Sequence, residues 1–349
     1  MENKFTPISE IGEFKLIDRL THNAEIKHTS TKKGIGDDAA IIAHLPKKSH
    51  VISTDMLAEG VHFDTIYTPL KHLGYKSIVT NISDICAMNG TATHILISLG
   101  IPNKYSVEHI EELYKGVDTA CTNYNIDLIG GDTTSSASGL IINITIIGEL
   151  SLKESVYRTG AKPNHLLFVS GDLGAAYLGL QILEREKSIF NENEQFQPKL
   201  NEYSYILERQ LKPEARVDVI SQLKKKKIIP SSMIDLSDGL SSDVRHICKA
   251  SKVGVKIFEN KIPILKETEK TANELNINPI FCALNGGEDY ELLFTLSLND
   301  YEKIKDIDIF SVIGHTTRNK DQVELFAEGG GSVNLKEGGW DTFKNRQHI

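Results

Sequence analysis

Residues Gly34-Ile35-Gly36-Asp37-Asp38-Ala39-Ala40 carry a glycine turn into two adjacent carboxylates and then into the apolar Ile41-Ile42, which fixes acidic oxygens on a rigid element. A single vicinal aspartate pair is a weak signal, because acidic turns are usually solvated. Here the pattern recurs. Ser53-Thr54-Asp55 ends an apolar run, Asn81-Ile82-Ser83-Asp84 sits in a helical pattern, and Gly130-Gly131-Asp132-Thr133-Thr134 follows Ile126-Asp127-Leu128-Ile129. Asp235-Leu236-Ser237-Asp238-Gly239 follows Ile228-Ile229, and Gly286-Gly287-Glu288-Asp289 precedes a strand-like stretch at residues 290–296. Acidic clusters with glycine or hydroxyl neighbours, most abutting an apolar element, point to one site assembled from many loops.

Clustered carboxylates repel one another, and their pKa values rise unless cations neutralise them. The matching cation is hard and oxygen-loving: magnesium held by carboxylates, hydroxyls and substrate phosphates. Soft-metal sites lack ligands, because the histidines are scattered and no HExxH occurs; the spacing of an EF-hand is absent too. Phosphoryl transfer needs positioning and charge neutralisation rather than a covalent catalyst. Neither GxxxxGK[ST] nor the glycine-rich loop with HRD and DFG of protein kinases is found. The turn at residues 171–174 is a partial glycine loop, explained equally by close strand–helix packing. An ATP-using enzyme of this sequence would work through carboxylate-held magnesium.

The elements that must position these groups follow from periodicity. Residues 10–22 predict an amphipathic helix, and residues 39–43 and 50–54 predict strands, the second delivering Asp55 at its C-terminal end. Residues 59–63 read as a loop, 70–88 as a helix with Asp84 near its end, and 106–124 as a helix capped by Ser106. Residues 126–129 read as a buried strand ending in a Gly-Gly-Asp turn, and 140–150 as a long strand. After a polar boundary at 151–164 come a strand–turn–helix unit from residue 166, a polar insertion at 187–202 expected to be mobile, helices at 203–225 and 239–251, and strands at 253–258, 289–296, 309–314 and 322–327. The class is α/β or α+β in two domains, 1–150 and 151–349.

Composition bounds the partners. With 349 residues, 40% hydrophobic and 25% charged, the chain has the profile of a soluble globular protein. A net charge of −8 gives no electrostatic case for nucleic acid or an anionic membrane. The run Lys224-Lys225-Lys226-Lys227 reads as a solvated helix end. Cys86, Cys121, Cys248 and Cys282 form no CxxC pair, which suggests core thiols in a reducing cytoplasm. No secretory signal pattern opens the chain, and no apolar stretch nears the ~18 residues of a membrane span.

Taken together, GIGDDAA, STDMLAEGVHF, NISDICAMNG, GGDTT, YRTGAKP, IDLSDGLSSD, GGEDYELLFT and the terminal GGWDTF closely resemble thiamine-monophosphate kinase, from about residue 10 to 343. The resemblance implies an aminoimidazole-ribotide synthetase-like fold, with N-terminal domains pairing in a homodimer around a β-barrel and a C-terminal α/β domain completing the active site. It implies transfer of the γ-phosphoryl group of ATP to thiamine monophosphate, with several Mg²⁺ ions. Carried over position by position, Asp38, Ser53, Thr54, Asp55, Asp84, Asp132, Asp235 and Asp238 match magnesium ligands. Tyr124, Gly131, Asp132, Arg158 and Ser237 match nucleotide contacts, and His62, Glu288 and Trp340 match contacts to thiamine phosphate. Each has a plainer rival: His62 as an ordinary loop histidine, Arg158 as a surface guanidinium, Ser53 and Thr54 as strand ends, Trp340 as a packed tail residue. The alternatives for function are an ATP-dependent synthetase of the same superfamily acting on an amide or carbonyl oxygen, and a nucleotide-binding regulator without catalysis.

Overall fold

The computed structural model describes residues 6–335 apart from Gly12, Gly34 and residues 36–40, 44–46 and 193–199. Asp37, Asp38 and Trp340 therefore lie outside the described residues, as does the middle of the 187–202 stretch. The chain divides into two compact units, Met1–Ile85 with Gly90–Lys153 and Cys86–Asn89 with Glu154–Ile349.

The first unit begins with helices α1 (Ile8–Ile11) and α2 (Glu13–Thr21) and a ribbon of β1 (Thr31–Lys33) and β2 (Ile41–Ile42). Then come β3 (Ser49–Ala58), α3 (Leu70–Ala87), β4 (Thr91–Ile101), α4 (Val107–Asn123), β5 (Asp127–Ser135) and β6 (Ile141–Leu150). β3 to β6 form a four-stranded sheet in the order β3-β6-β4-β5, with β4 and β5 parallel and the other pairs antiparallel. Helix α3 is buried nearly all round: Leu73, Tyr75, Ile78, Val79, Ile82 and Ile85 are each at most 2% exposed. Such a helix is held by core packing rather than by one amphipathic stripe, and it carries Asp84 as a fixed point. Among the described residues the sheet does not close on itself, so no barrel forms within one chain.

Two expectations change here. β3 runs on to Ala58, so Asp55 lies inside the strand rather than at its end. The β3–β6 pairing is unbroken from Ser49–Leu150 to Ala58–Ile141, and backbone pairing carries the strand through the polar Ser53-Thr54-Asp55 that would otherwise end an apolar run. The Gly-Gly-Asp segment is likewise not a turn but part of β5. Gly131 faces Ile97 on β4, and any Cβ there would run into the Ile97 carbonyl oxygen. The glycine serves close strand approach, not chain reversal.

In the second unit the elements are β7 (Leu166–Ser170), α5 (Ala175–Glu192), α6 (Ser204–Leu211), α7 (Val217–Lys225), β8 (Ser232–Asp235), α8 (Leu240–Ser251), β9 (Gly254–Phe258), α9 (Lys266–Glu274), α10 (Pro279–Asn285), β10 (Leu292–Leu296), α11 (Leu298–Tyr301), β11 (Phe310–Thr317), β12 (Val323–Phe326) and β13 (Ser332–Asn334). Its seven-stranded sheet has the order β13-β12-β9-β11-β7-β10-β8. Phe168 on β7 sits opposite Phe294 on β10, their rings stacked at 5.2 Å, a cross-strand pair worth about 0.5–1.5 kcal/mol beyond its burial.

The expected helix at 203–225 is two helices. Pro213 sits in the break, where its missing N–H and fixed φ stop the first. Residues 187–192 extend α5, and residues 201–203 form a 3₁₀ turn. The strand expected from 289 starts at Leu292, because Glu288 and Tyr290 take left-handed backbone angles (φ 58° and 51°). β8, α9, α10, α11 and β13 had no counterpart in the sequence reading. All four cysteines are free and buried, and Lys224 and Lys225 lie in the last turn of α7.

Candidate active site

In the first unit, sheet alternation sorts the hydroxyls and acids of Ser53-Thr54-Asp55. Ser53 and Asp55 share one face of β3, and Ser53 Oγ donates to Asp84 Oδ2 at the end of α3 (2.5 Å). Burial first, and then the facing Asp84 carboxylate, push the Asp55 carboxyl up to about 6. Thr54 points the other way. Its hydroxyl donates to the Ile144 carbonyl (3.0 Å) and accepts from Asn143 Nδ2 (3.3 Å).

Asp132 belongs to the row Met56–Asn143–Ser98–Asp132 across the sheet, whereas Asp55 belongs to the next row, Asp55–Ile144–Ile97–Gly131. Neighbouring rows face opposite sides of a sheet, and β3 and β5 are its two edges, about 14 Å apart at ~4.8 Å per strand. Asp132 is exposed and is not gathered with Asp55 and Asp84. Tyr124 is the C-cap of α4, its ring tilted against Tyr75 at 6.3 Å. From Tyr75 to Asp84 helix α3 rises about 13 Å, so Tyr124 stands away from the Asp84 cluster as well. His62 lies in the loop after β3 and is exposed, with the Ala58 N–H donating to its Nδ1 (3.1 Å). In the neutral ring that fixes the proton on Nε2.

In the second unit, Asp235 ends β8 and Ser237 and Asp238 lie in the turn before α8. This turn is tied to the acidic turn at 286–291: Glu288 N–H donates to the Ser237 carbonyl (2.8 Å), Tyr290 N–H to the Leu236 carbonyl (2.9 Å) and Leu236 N–H to the Glu291 carbonyl (2.8 Å). Gly287 lies at φ 69°, and a Cβ there would meet the Ser237 carbonyl oxygen at 2.6 Å. Arg158 is exposed, its own carbonyl accepting from Ser251 Oγ (3.0 Å).

Several residues of this unit were not singled out beforehand. Asp243 Oδ2 accepts from the N–H groups of Asp238 and Gly239 (both 3.2 Å), which holds the Asp238 turn at the start of α8. Its burial, with Asp238 and Asp235 nearby, pushes its carboxyl up to about 8. The signal for it was present in Asp238-Gly239-Leu240-Ser241-Ser242-Asp243. Glu291 accepts from Arg209 Nη2 (3.1 Å), Arg216 Nη1 (2.5 Å) and Ser170 Oγ (2.5 Å). Gln210 Nε2 donates to Glu288 Oε2 (2.8 Å) across 78 positions of sequence, a distance over which no local pattern could have found it.

Among the described residues no three His, Cys, Asp or Glu side chains converge as a ready metal cage. The donors that do approach one another, Ser53, Asp55 and Asp84, are all hard oxygens, and Asp55 is disfavoured as an anion by burial and by Asp84. They would suit a hard cation such as magnesium, and they offer nothing to a soft metal.

Residues 36–150 match the family described as AIR synthase related protein, N-terminal domain. Thiamine-monophosphate kinase of Bacillus subtilis (strain 168) is 36% identical over 297 residues, 84% of this chain and 86% of that protein. The enzyme of the same name from Aquifex aeolicus (strain VF5) is 38% identical over 288 residues, 82% of this chain and 87% of its own. Among solved structures, AaThiL complexed with AMPPCP and TMP superposes with a TM-score of 0.73 at 32% identity, covering 95% of this chain and 97% of that one. The hydrogenase maturation protein HypE in complex with ATP shares the fold alone, with a TM-score of 0.71 at 16% identity over 93% of this chain and 95% of that one.

Proposed function

The chain belongs to the thiamine-monophosphate kinase family and transfers phosphate from ATP to thiamine monophosphate, giving thiamine diphosphate, and from that premise we propose how its residues divide the work. Ser53, Asp55 and Asp84 hold Mg²⁺ in the first unit; Thr54 and Asp132, on the opposite face of the sheet, serve other ions, Asp38 is assigned by the resemblance alone, and Asp235 and Asp238 hold Mg²⁺ in the second unit. Bound magnesium supplies neutralising charge to the polyphosphate and to the phosphoryl group in flight. Tyr124, Gly131, Asp132, Arg158 and Ser237 contact the nucleotide. His62, Glu288 and Trp340 contact thiamine phosphate, the indole facing its cationic thiazolium.

No residue takes the phosphoryl group covalently, since no histidine or aspartate lies in a phospho-acceptor motif; a substrate phosphate oxygen attacks in line. The residues' task is to aim the two phosphates and to oppose their charge. The single observation that carries this reading is the Ser53–Asp84 hydrogen bond with Asp55 beside it: oxygen donors gathered under charge strain at positions that the motif resemblance assigns to magnesium.

A homodimer fits the open face of the four-stranded sheet. There β3 exposes Ile52 (64%) and Met56 (58%) beside the more covered Ile147 and Leu96, an apolar surface that a second copy would cover. Asp132 and Thr54 belong to that same face, so pairing would bring acidic and hydroxyl oxygens toward the partner. A cytoplasmic location accords with four free buried thiols and with the absence, among the described residues, of any helix long and apolar enough to cross a membrane.

The test is the purified protein with ATP, Mg²⁺, thiamine monophosphate and chirally labelled γ-phosphate. Thiamine diphosphate should form with inversion at phosphorus, and EDTA should abolish it. Net retention, or a phosphoprotein isolated without acceptor, would overturn direct transfer. Light scattering should give a dimer that Ile52→Lys/Met56→Lys dissociates.

A further inference from the structure

We infer that α6, through Gln210, positions Glu288 for the cationic substrate, an inference that rests on Glu288 contacting thiamine phosphate. Tyr205 and Arg209 lie at i and i+4 on this helix and share a side, and Gln210 is the next residue round the helix. Tyr205 OH donates to Asp172 Oδ1 (2.6 Å), and Arg209 Nη2 donates to the Asp172 carbonyl (3.1 Å), the Asp289 carbonyl (3.2 Å) and Glu291 Oε1 (3.1 Å). Gly174 N–H closes the frame by donating to Asp289 Oδ2 (2.9 Å). One helix face thus grips both the glycine turn after β7 and the acidic turn before β10.

The acidic turn needs that grip. Glu288 and Tyr290 are non-glycine residues at φ 58° and 51°, a conformation that persists only where the surroundings over-determine it and that gathers at ligand-binding segments. Its alternating side chains are treated differently. Asp289 and Glu291 are buried against Arg209 and Arg216, whereas Glu288 is only half-buried and meets the neutral amide of Gln210. The amide donor fixes the direction of the Glu288 carboxylate, and a carboxylate so oriented suits a permanently charged thiazolium.

The experiment compares steady-state kinetics of Gln210→Met, Gln210→Glu, Glu288→Gln and the Gln210→Met/Glu288→Gln double variant. Gln210→Met keeps the volume and deletes the donor; Gln210→Glu keeps the shape and sets two carboxylates against each other. We expect KM for thiamine monophosphate to rise about tenfold in the first and further in the second, with KM for ATP moving less than twofold. Adding Gln210→Met to Glu288→Gln should bring no further rise, since a positioning residue acts only through the group it positions. Should Glu288→Gln raise this KM while Gln210→Met and Gln210→Glu leave it unchanged, or raise both KM values alike, the positioning role is wrong and the substrate role of Glu288 stands. An unmoved KM in Glu288→Gln itself overturns both. Fully additive effects in the double variant reduce Gln210 to a packing residue.

Discussion

In the first unit Asp55 and Asp84 face each other, with the Ser53 hydroxyl bonded to Asp84, while in the second unit Glu291 lies between Arg209 and Arg216. The first acidic cluster is partly buried and the second fully so, and in the sequence both look like an aspartate or glutamate beside an apolar run. The difference is where the compensating charge comes from. Arg209 and Arg216 are built into the chain, and they tie down Glu291, 1% exposed, within a hydrogen-bonded frame. For Asp55 burial and Asp84 both disfavour the charged form, which accords with the proposal that a cation from solution completes the site. A carboxylate neutralised within the chain holds the fold; one left under strain is suited to bind.

The largest effect that would break this distinction is on activity. On the proposed magnesium role, Asp55→Asn and Asp84→Asn should each lower kcat/KM on the order of a thousandfold, because each would remove charge matched to magnesium and polyphosphate. Thermal unfolding in EDTA should show the fold intact and, for Asp55→Asn, as stable or more so, since a repulsion has gone. Near-normal turnover in both variants would erase the functional half of the comparison.

Next in size is the structural half. Arg209→Met leaves Glu291 and Asp289 buried with part of their compensation removed, a change that costs about 3–5 kcal/mol when a buried pair is broken. Urea denaturation measures it. A loss below about 1 kcal/mol would mean that the guanidinium is dispensable to the fold.

The smallest effect concerns pH. Asp55 is raised from 3.8 to about 6, so without metal the folded protein binds more protons than the unfolded chain between those values. The stability contributed by this group is therefore greatest below about pH 4 and is lost as pH rises through about 6. Magnesium needs the ionised form, so its apparent affinity should fall up to about tenfold per unit as pH drops below 6. Calorimetric titration of Mg²⁺ at pH 5 and pH 7.5 reads this directly, and Asp55→Asn should flatten the dependence. An affinity indifferent to pH would separate Asp55 from the metal.

How far the sequence was legible depends on the range of the interaction. Helices α3 and α4 were read to within a residue or so, because their apolar spacing and the Ser106 cap are local properties. Asp55 was misjudged as a strand end, since what continues β3 to Ala58 is pairing with β6, about ninety residues away in the chain. The Gly-Gly-Asp segment was misread for the same reason: the glycine answers to Ile97 on another strand, not to a turn of its own. β8 escaped notice because Ser232–Asp235 is too short to show a period, and its place is set by β10.

The sequence by itself determined the chemistry. Residue type and order were enough for the family and hence for the kinase reaction, because the motifs are runs of neighbouring residues and are read without knowing how the chain folds. Tertiary structure alone decided which acids serve which purpose. Adjacent Glu288 and Asp289 are nearly the same chemical group, yet one meets the amide of Gln210 and the other the buried frame around Arg209. Likewise Thr54 and Asp55 point to opposite sides of one strand. The physical reason is that a side chain's charge is intrinsic, whereas its burial, its direction and its partner are set by backbone placed from distant parts of the chain.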